Sequence, residues 1–523
     1  MARQQTTQPF SGLSAIRGAM MMTGSTYVTY GLGMLVSIVI ARSLGPEDFG
    51  RYSYVVWLAG LVVVLANNGL STSAIRFLSE SLGRGVPATA RRVHGWMRRR
   101  QWACMLLVGV GFVLLVPLLV PAGWGGDELG LFVAVTLAAG LLKAWFIFDV
   151  SVAKGYGHYG IEAASTVLVS VLNIAAVLLL WWLDAGLEAY LLLFALAGGG
   201  YALTGHLLRR RAGLVPARGA VDAVVLPRMR RHLYWTVLLA LAWAFSNRSI
   251  ETWLLNRLVG AAAVGYFAIA AALVRGGVDM LASGLATVLM PMMAHAFGAG
   301  GQARAGEIMG NAMRYFTCMG LLLAGTGALA AEPLIALLYG PAYQPVVLPL
   351  QVMFVVGGLT LAEGAFNALL STTDNQKLRV GFVGLSLVAT ALLAVLLVPR
   401  YGLMGAVAAH ACSRVLVFAA IGFGITRMMH MKLPWPELAR LLAAALVAAG
   451  TGLVLLSVLS SRWAGIAAAA VYAVTLIACT VAFGAWREQD LRELGIFTAR
   501  YPHLHSAVRP FLGWASGGAA GGR

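Results

Sequence analysis

Apolar residues in this chain come in long unbroken runs, neither the one-sided stripe of a surface helix nor the alternation of a half-buried strand. Runs of about 18–28 residues, bounded by charge, Gly or Pro, are each long enough to cross a hydrocarbon layer of ~30 Å as a helix. Roughly fourteen such runs are expected, centred near residues 30, 60, 110, 140, 170, 197, 245, 278, 320, 358, 388, 415, 448 and 474. Asn67-Asn68-Gly69 interrupts the second, and Pro291 is expected to bend the eighth.

The pattern is most informative between Tyr234 and Met280, where two apolar runs meet at a short Gly/Ala turn. The first carries Asn247, Arg248 and Glu251, the second Arg275 and Asp279. A lone Arg or Asp at mid-membrane costs roughly 2.5–3.5 kcal/mol even on a lenient insertion scale. These side chains therefore need partners or water. Arg248 and Glu251 are spaced i,i+3, and Arg275 and Asp279 i,i+4, so each pair is expected on one helical face. Such faces line a wet cavity; a structural ion pair locking two helices satisfies the same spacing.

Other polar groups fall inside apolar runs: Lys143 and Asp149 in the fourth, Glu363 in the tenth, and His410 with Arg414 in the twelfth. At 1.5 Å per residue, Arg275 and Arg414 are expected ~16–18 Å from the nearest outer end, close to the midplane. Asp149 and Glu363 are expected near headgroup level. In the first run Thr23, Thr26, Tyr27, Tyr30 and Ser37 make a polar stripe suited to sugar hydroxyls, although small polar residues also mediate helix packing.

Charge adds an orientation. The net charge is +18, from 38 basic and 20 acidic side chains. The basic residues concentrate in alternate connections, seven between Arg76 and Arg100 and seven more between Arg209 and Arg231. The intervening turns carry few, and those at 123–128 and 183–188 are acidic. By the positive-inside rule both termini are then cytoplasmic. That distribution makes the basic balance a matter of membrane orientation, with no nucleic-acid partner expected. The 209–232 segment reads as a basic crossing on the anionic leaflet.

A repeat sets the expected architecture. Gly45 and Gly50 in RSLGPEDFGRY recur as Gly260 and Gly265 in RLVGAAAVGY, each 215 residues on. Gly186-Leu187 recurs as Gly402-Leu403, 216 residues on. An offset spanning six helices keeps the two halves in one orientation, related by a pseudo-two-fold axis along the membrane normal. The fold class expected is all-α and polytopic, with two six-helix lobes and two C-terminal helices. The expected divisions are a lobe at 1–208, the linker at 209–232, a lobe at 233–430, two added helices at 431–486 and a tail at 487–523.

With 60% hydrophobic and 11% charged residues the chain lies far outside soluble proportions. The four cysteines show no C-x-x-C pair, and neither a disulfide nor a metal site is expected. No nucleophile–base constellation, phosphate-cradling loop or large outer loop is evident, which argues against an enzyme. A transporter without covalent catalysis is the expectation, with no cofactor beyond coupling to H+ or Na+.

The run 40–80, its echo at 254–280, AEPLIALLYGPAYQP at 331–345 and LLVPRYGLMGAVAAH at 396–410 resemble the polysaccharide flippases (Wzx type) of the MOP exporter superfamily. The resemblance implies alternating access that moves an undecaprenyl-pyrophosphate-linked oligosaccharide across a bacterial inner membrane. It implies that Arg248 and Arg275, with Lys143 and Arg414, attract the diphosphate, while Asn247, Tyr30 and Thr26 meet sugars. Glu251 and Asp279 would hold the arginines and exchange the coupling ion. The lipid-linked oligosaccharide, the bilayer and other glycan-assembly membrane proteins are the implied partners. A multidrug/cation antiporter of the same superfamily is the alternative, weakened because the first span lacks the acid that cation-coupled members often keep. A membrane-embedded glycan polymerase or ligase is a more distant one, since it would need a large outer loop.

Overall fold

A computed structural model describes the backbone from Gly12 to Arg487 and at Asp490, apart from residues 68, 121–123, 125–126, 247–248, 373–375, 432, 460 and 462. Side chains are described from Tyr27 onward, with a few gaps inside helices. Every regular element is a helix: α1 (Gly12–Asn67), α2 (Leu70–Gly83), α3 (Pro87–Leu119), α4 (Asp127–Gly155), α5 (Gly160–Trp182), α6 (Leu187–Arg211), α7 (Val225–Ser246), α8 (Ser249–Leu258), α9 (Ala261–Val274), α10 (Met280–Leu338), α11 (Val347–Leu359), α12 (Glu363–Thr372), α13 (Gln376–Met428), α14 (Trp435–Val458) and α15 (Ala464–Ala482). A π-helical turn, Arg275–Asp279, joins α9 to α10, and a 3-10 turn, Pro341–Val346, precedes α11.

Ten stretches of the described residues are long and apolar enough to cross a membrane. Three of them, of 57, 78 and 51 residues, are too long for one crossing. Each contains a break where helical dihedrals fail: Gly45 in α1, Gly300 and Gly301 in α10, and Gly402 in α13. The chain stays helical through Pro291, so the break falls at the glycine pair nine and ten residues later. The interruption at Asn67–Gly69 is a second helix boundary: Gly69 takes the left-handed conformation at φ 74 and α2 starts at Leu70.

Leucines and other large apolar side chains cover the outer faces. Leu107 and Leu114 on α3, Trp182 on α5 and Leu446 on α14 are each more than 70% exposed, an arrangement that suits lipid and not water. Hydroxyls inside spans bond back to the helix: Thr136 donates to the carbonyl of Phe132 and Ser151 to that of Ile147. At the end of α3, the Tyr54 hydroxyl donates to the Leu119 carbonyl at 2.6 Å and Trp253 Nε1 to the Leu118 carbonyl at 3.2 Å, satisfying acceptors that a helix terminus leaves open.

By packing, the chain forms two units, Met1–Ala268 with Ala394–Ala406, and Ile269–Leu393 with Val407–Arg523. Helices α7 and α8 thus pack with the first unit. Thr236 of α7 lies against Gly69, Arg76 bonds His232 at 3.1 Å and Arg228 bonds Glu80 at 2.8 Å.

The repeat is visible in the first unit. Gly45 and Gly260, its echo, both take positive φ, 72 and 128. Gly50 and Gly265, the next equivalent pair, touch: a Cβ on Gly265 would stand 3.1 Å from the Gly50 Cα, and one on Gly50 would overlap the Ala261 carbonyl. Equivalent residues meeting each other is what an isologous, two-fold-like contact requires.

The 209–232 segment differs from its expected form. Helix α6 runs on through Arg211, and only 212–224 is irregular. That stretch is a fixed strap on α3, with the Ala217 N–H donating to the Arg91 carbonyl at 2.9 Å.

Candidate functional site: charged groups within the helical spans

In the second unit, the distortion that joins α9 to α10 sets the charged groups. The sequence Arg275-Gly-Gly-Val-Asp279 turns as a π helix, whose i→i+5 bonding inserts a residue and changes the angular spacing along the helix. The i,i+4 stacking of Arg275 on Asp279 expected for an α-helix is consequently not formed. Arg275 is exposed and makes no ion pair among the described residues, while Asp279 accepts a bond from Arg414 of α13 at 2.8 Å. Both partners are partly open, at 20% and 28% exposure. Glu363 begins α12 and accepts from Asn367 at 3.3 Å. Beside Arg414, Thr390 donates to Ser413, which bonds the His410 carbonyl.

In the first unit, Lys143 of α4 lies with its Nζ 3.1 Å from the centre of the Tyr201 ring and 4.9 Å from that of Phe146. The ammonium is here held against aromatic faces. Tyr201 is itself fixed by a 3.0 Å bond between its hydroxyl and Ser170. Tyr30 is half-buried in α1, and Thr26 lies in the same helix with its side chain outside the described residues. Asn247 and Arg248 lie outside the described residues, between α7 and α8. Glu251, in the first turn of α8, is fully buried.

Asp149 of α4, expected near headgroup level, is enclosed by protein on every side. Its side chain is completely buried and forms the hub of a network from three helices. Arg98 of α3 and Arg209 of α6 both form ion pairs with Oδ1, Arg209 through Nε at 3.1 Å. Oδ2 accepts from Trp145 Nε1 at 3.2 Å and faces His206 Nδ1 at 3.4 Å. Arg98 continues to Gln101, whose Nε2 donates to Asn67 and to the Ala144 carbonyl. Several donors converge on one carboxylate, which is how a buried charge is tolerated. Sequence signals existed: Trp145 and Asp149 are i,i+4, and His206 and Arg209 are i,i+3. Neither says that α3, α4 and α6 converge.

A second network joins the end of the described chain to the second unit. Arg314 of α10, 1% exposed, bonds both oxygens of Asp490, at 2.8 and 3.2 Å. The Tyr315 hydroxyl and the Arg487 backbone N–H also donate to Asp490, and Trp486 stacks on the Tyr315 ring at 6.0 Å. Burial pushes the Asp490 carboxyl up, but these donors outweigh it and hold the group below the usual carboxylate range. The start of the expected tail is thus a packed element; His503 and His505 lie outside the described residues.

These are the charges of a polytopic helical membrane protein, and comparison with known proteins assigns the kind. A family model described as polysaccharide biosynthesis protein matches residues 15–297, more than half of the chain. The chain belongs to the polysaccharide biosynthesis protein family. No match was found among curated proteins. Among solved structures, lipid II flippase MurJ in an inward closed conformation is 12% identical with a TM-score of 0.69, over 90% of this chain and 99% of that one. An inward-facing multidrug resistance MATE family transporter of the MOP superfamily is 17% identical, TM-score 0.62, over 78% and 96%. A MOP superfamily transporter from Pyrococcus furiosus is 15% identical, TM-score 0.53, over 79% and 95%. This member of the polysaccharide biosynthesis family therefore has the fold of MOP-type flippases and transporters, which are not enzymes.

Proposed function

We propose that the chain is a flippase moving an undecaprenyl-pyrophosphate-linked oligosaccharide, the repeat unit of an O-antigen, capsule or exopolysaccharide, across the bacterial inner membrane by alternating access. The observation that carries this reading is membership of a polysaccharide biosynthesis family by a chain made of membrane-crossing helices. Polysaccharide assembly needs a carrier for intermediates whose headgroups are too hydrophilic to cross a bilayer unaided. In this reading fourteen helices cross the membrane and both termini are cytoplasmic. Other glycan-assembly membrane proteins are its neighbours.

The cargo has a diphosphate, a hydroxyl-rich glycan and a lipid tail. Arg275 and Arg414, with Lys143 and Arg248, attract the diphosphate through charge-assisted bonds. Asn247, Tyr30 and Thr26 meet the sugars, and Glu251 and Asp279 balance the arginines and exchange H+ or Na+. Support comes from Arg275, an exposed guanidinium on a π turn amid apolar helix, since such turns concentrate at functional positions.

The test is complementation of a strain lacking the chromosomal copy. Wild type restores surface glycan, and Arg275→Ala abolishes export while reaching wild-type abundance in the membrane. Normal export by Arg275→Ala removes that residue from the path. Altered drug tolerance with unchanged glycan replaces the flippase reading with multidrug antiport.

A further inference from the structure

The strap between α6 and α7 is anchored far more firmly than a connection of two helices requires. Leu214 is buried, and its carbonyl accepts from Arg209. Gly95 of α3 admits the strap, because a Cβ there would overlap the Ala217 carbonyl. Val221 and Val225 enter the apolar cluster of Leu70, Phe77, Val93 and Met97. Asp222 caps α7: its Oδ1 takes the Val224 N–H at 3.0 Å and its carbonyl the N–H groups of Val225 and Leu226.

What this fixed strap presents outward is cationic and apolar together. Arg92 lies across Gly219, with its Nε 3.7 Å from where a Cβ would be. Arg91, Arg92, Arg99, Arg210, Arg211 and Arg218 are all exposed, and among the described residues none of them pairs with a carboxylate. The nearby acids are committed elsewhere, Glu80 to Arg84 and Arg228, and Asp222 to its cap. Between the arginines stand Val215, 54% exposed, and Val224, 67% exposed, with Val86 just before α3. The surface lies where the spans Pro87–Leu119 and Leu187–Arg211 end, so it borders one face of the bilayer.

We propose that the strap 212–224 and the first turns of α3 form a docking surface for anionic phospholipid headgroups. Planar guanidinium groups bind phosphate oxygens in pairs, and valines among them enter the acyl boundary. A nucleic acid would satisfy the arginines but leave the valines in water, whereas a leaflet satisfies both, and the position at the ends of two spans puts a leaflet beside them. The anchoring keeps the arginines at a constant height, so headgroups need not order the segment as they bind. This proposal is independent of what the chain transports.

The experiment follows thermal unfolding of the full chain in neutral detergent with added phosphatidylglycerol, phosphatidylcholine or inorganic phosphate. Phosphatidylglycerol is expected to raise the midpoint by several degrees more than phosphatidylcholine, and inorganic phosphate to do nothing. The variant R91Q/R92Q/R218Q is expected to lose at least half of the phosphatidylglycerol increment, while R400Q keeps it. Equal effects of the two lipids, an equal effect of free phosphate, or a full increment in the triple variant would each overturn the proposal. Should the triple variant fail to fold, R218Q is read by native mass spectrometry. The ratio of retained phosphatidylglycerol to phosphatidylcholine should fall about threefold, and an unchanged ratio is fatal to the proposal.

Discussion

Replacing Asp149 by Asn keeps the shape of the side chain and removes its charge. The carboxylate is completely buried and answers Arg98 and Arg209, themselves 12% and 4% exposed. Without it two guanidinium groups face each other in the interior with only an amide oxygen between them. Removing one partner of a buried pair costs about 3–5 kcal/mol, because the charges left behind remain desolvated. That is roughly two to four orders of magnitude in the unfolding constant. Arg98→Gln should cost less, since Arg209 still neutralises Asp149. The combination of the two should fall short of the sum of the singles by about 1–3 kcal/mol, as expected of residues in one network. Reversible unfolding in mixed micelles, followed by circular dichroism, measures all three. A loss for Asp149→Asn within about 1 kcal/mol of wild type, or strict additivity in the double variant, would refute the reasoning and show that water reaches the carboxylate.

Tyr201→Leu removes both the ring under Lys143 and a hydroxyl bond, about 2 kcal/mol for the cation on its aromatic face and about 1 kcal/mol for the bond; the same unfolding assay should show that adding Lys143→Met recovers part of the loss. Arg414→Gln leaves the Asp279 carboxylate without this partner within a span and should cost about 2.5–3.5 kcal/mol, and cut glycan export more than tenfold. The exchanged pair D279R/R414D should restore stability without restoring export, and recovery of both would make the pair structural alone. The Asp490 carboxyl is held below its ordinary range, so its contribution is complete above that range and disappears only as pH falls through the lower folded value. The 19F resonance of fluorotryptophan at Trp486, assigned with Trp486→Phe, should stay constant from pH 7 to pH 5 and shift under stronger acid, whereas Asp490→Asn should show the shifted line throughout.

Much of the fold was legible because membrane crossing needs long apolar runs, and the breaks between them fall at residues whose backbone demands are local. Asn67–Gly69, Gly45, Gly260 and Gly402 are all turns or breaks, as their sequence context implies. The repeat was legible for the same reason, since turn glycines recur at a fixed offset. The charge network was not. Arg414 is 135 positions from Asp279, and no local spacing reveals a partner at that distance. The i,i+4 rule failed at Arg275 because it assumes α-helical register, and two consecutive glycines allow the turn to widen. Arg209 belongs to α6 and to Asp149, although its neighbours in sequence are the arginines that make the segment look like a linker.

The meeting of Gly50 and Gly265 has a consequence for how the two halves can change. A methyl group on Gly50 would meet the Ala261 carbonyl, and one on Gly265 would meet Gly50 and the carbonyl of Pro46, the repeat equivalent of Ala261. A substitution at either glycine therefore has to be met by the backbone of the other copy of the repeat.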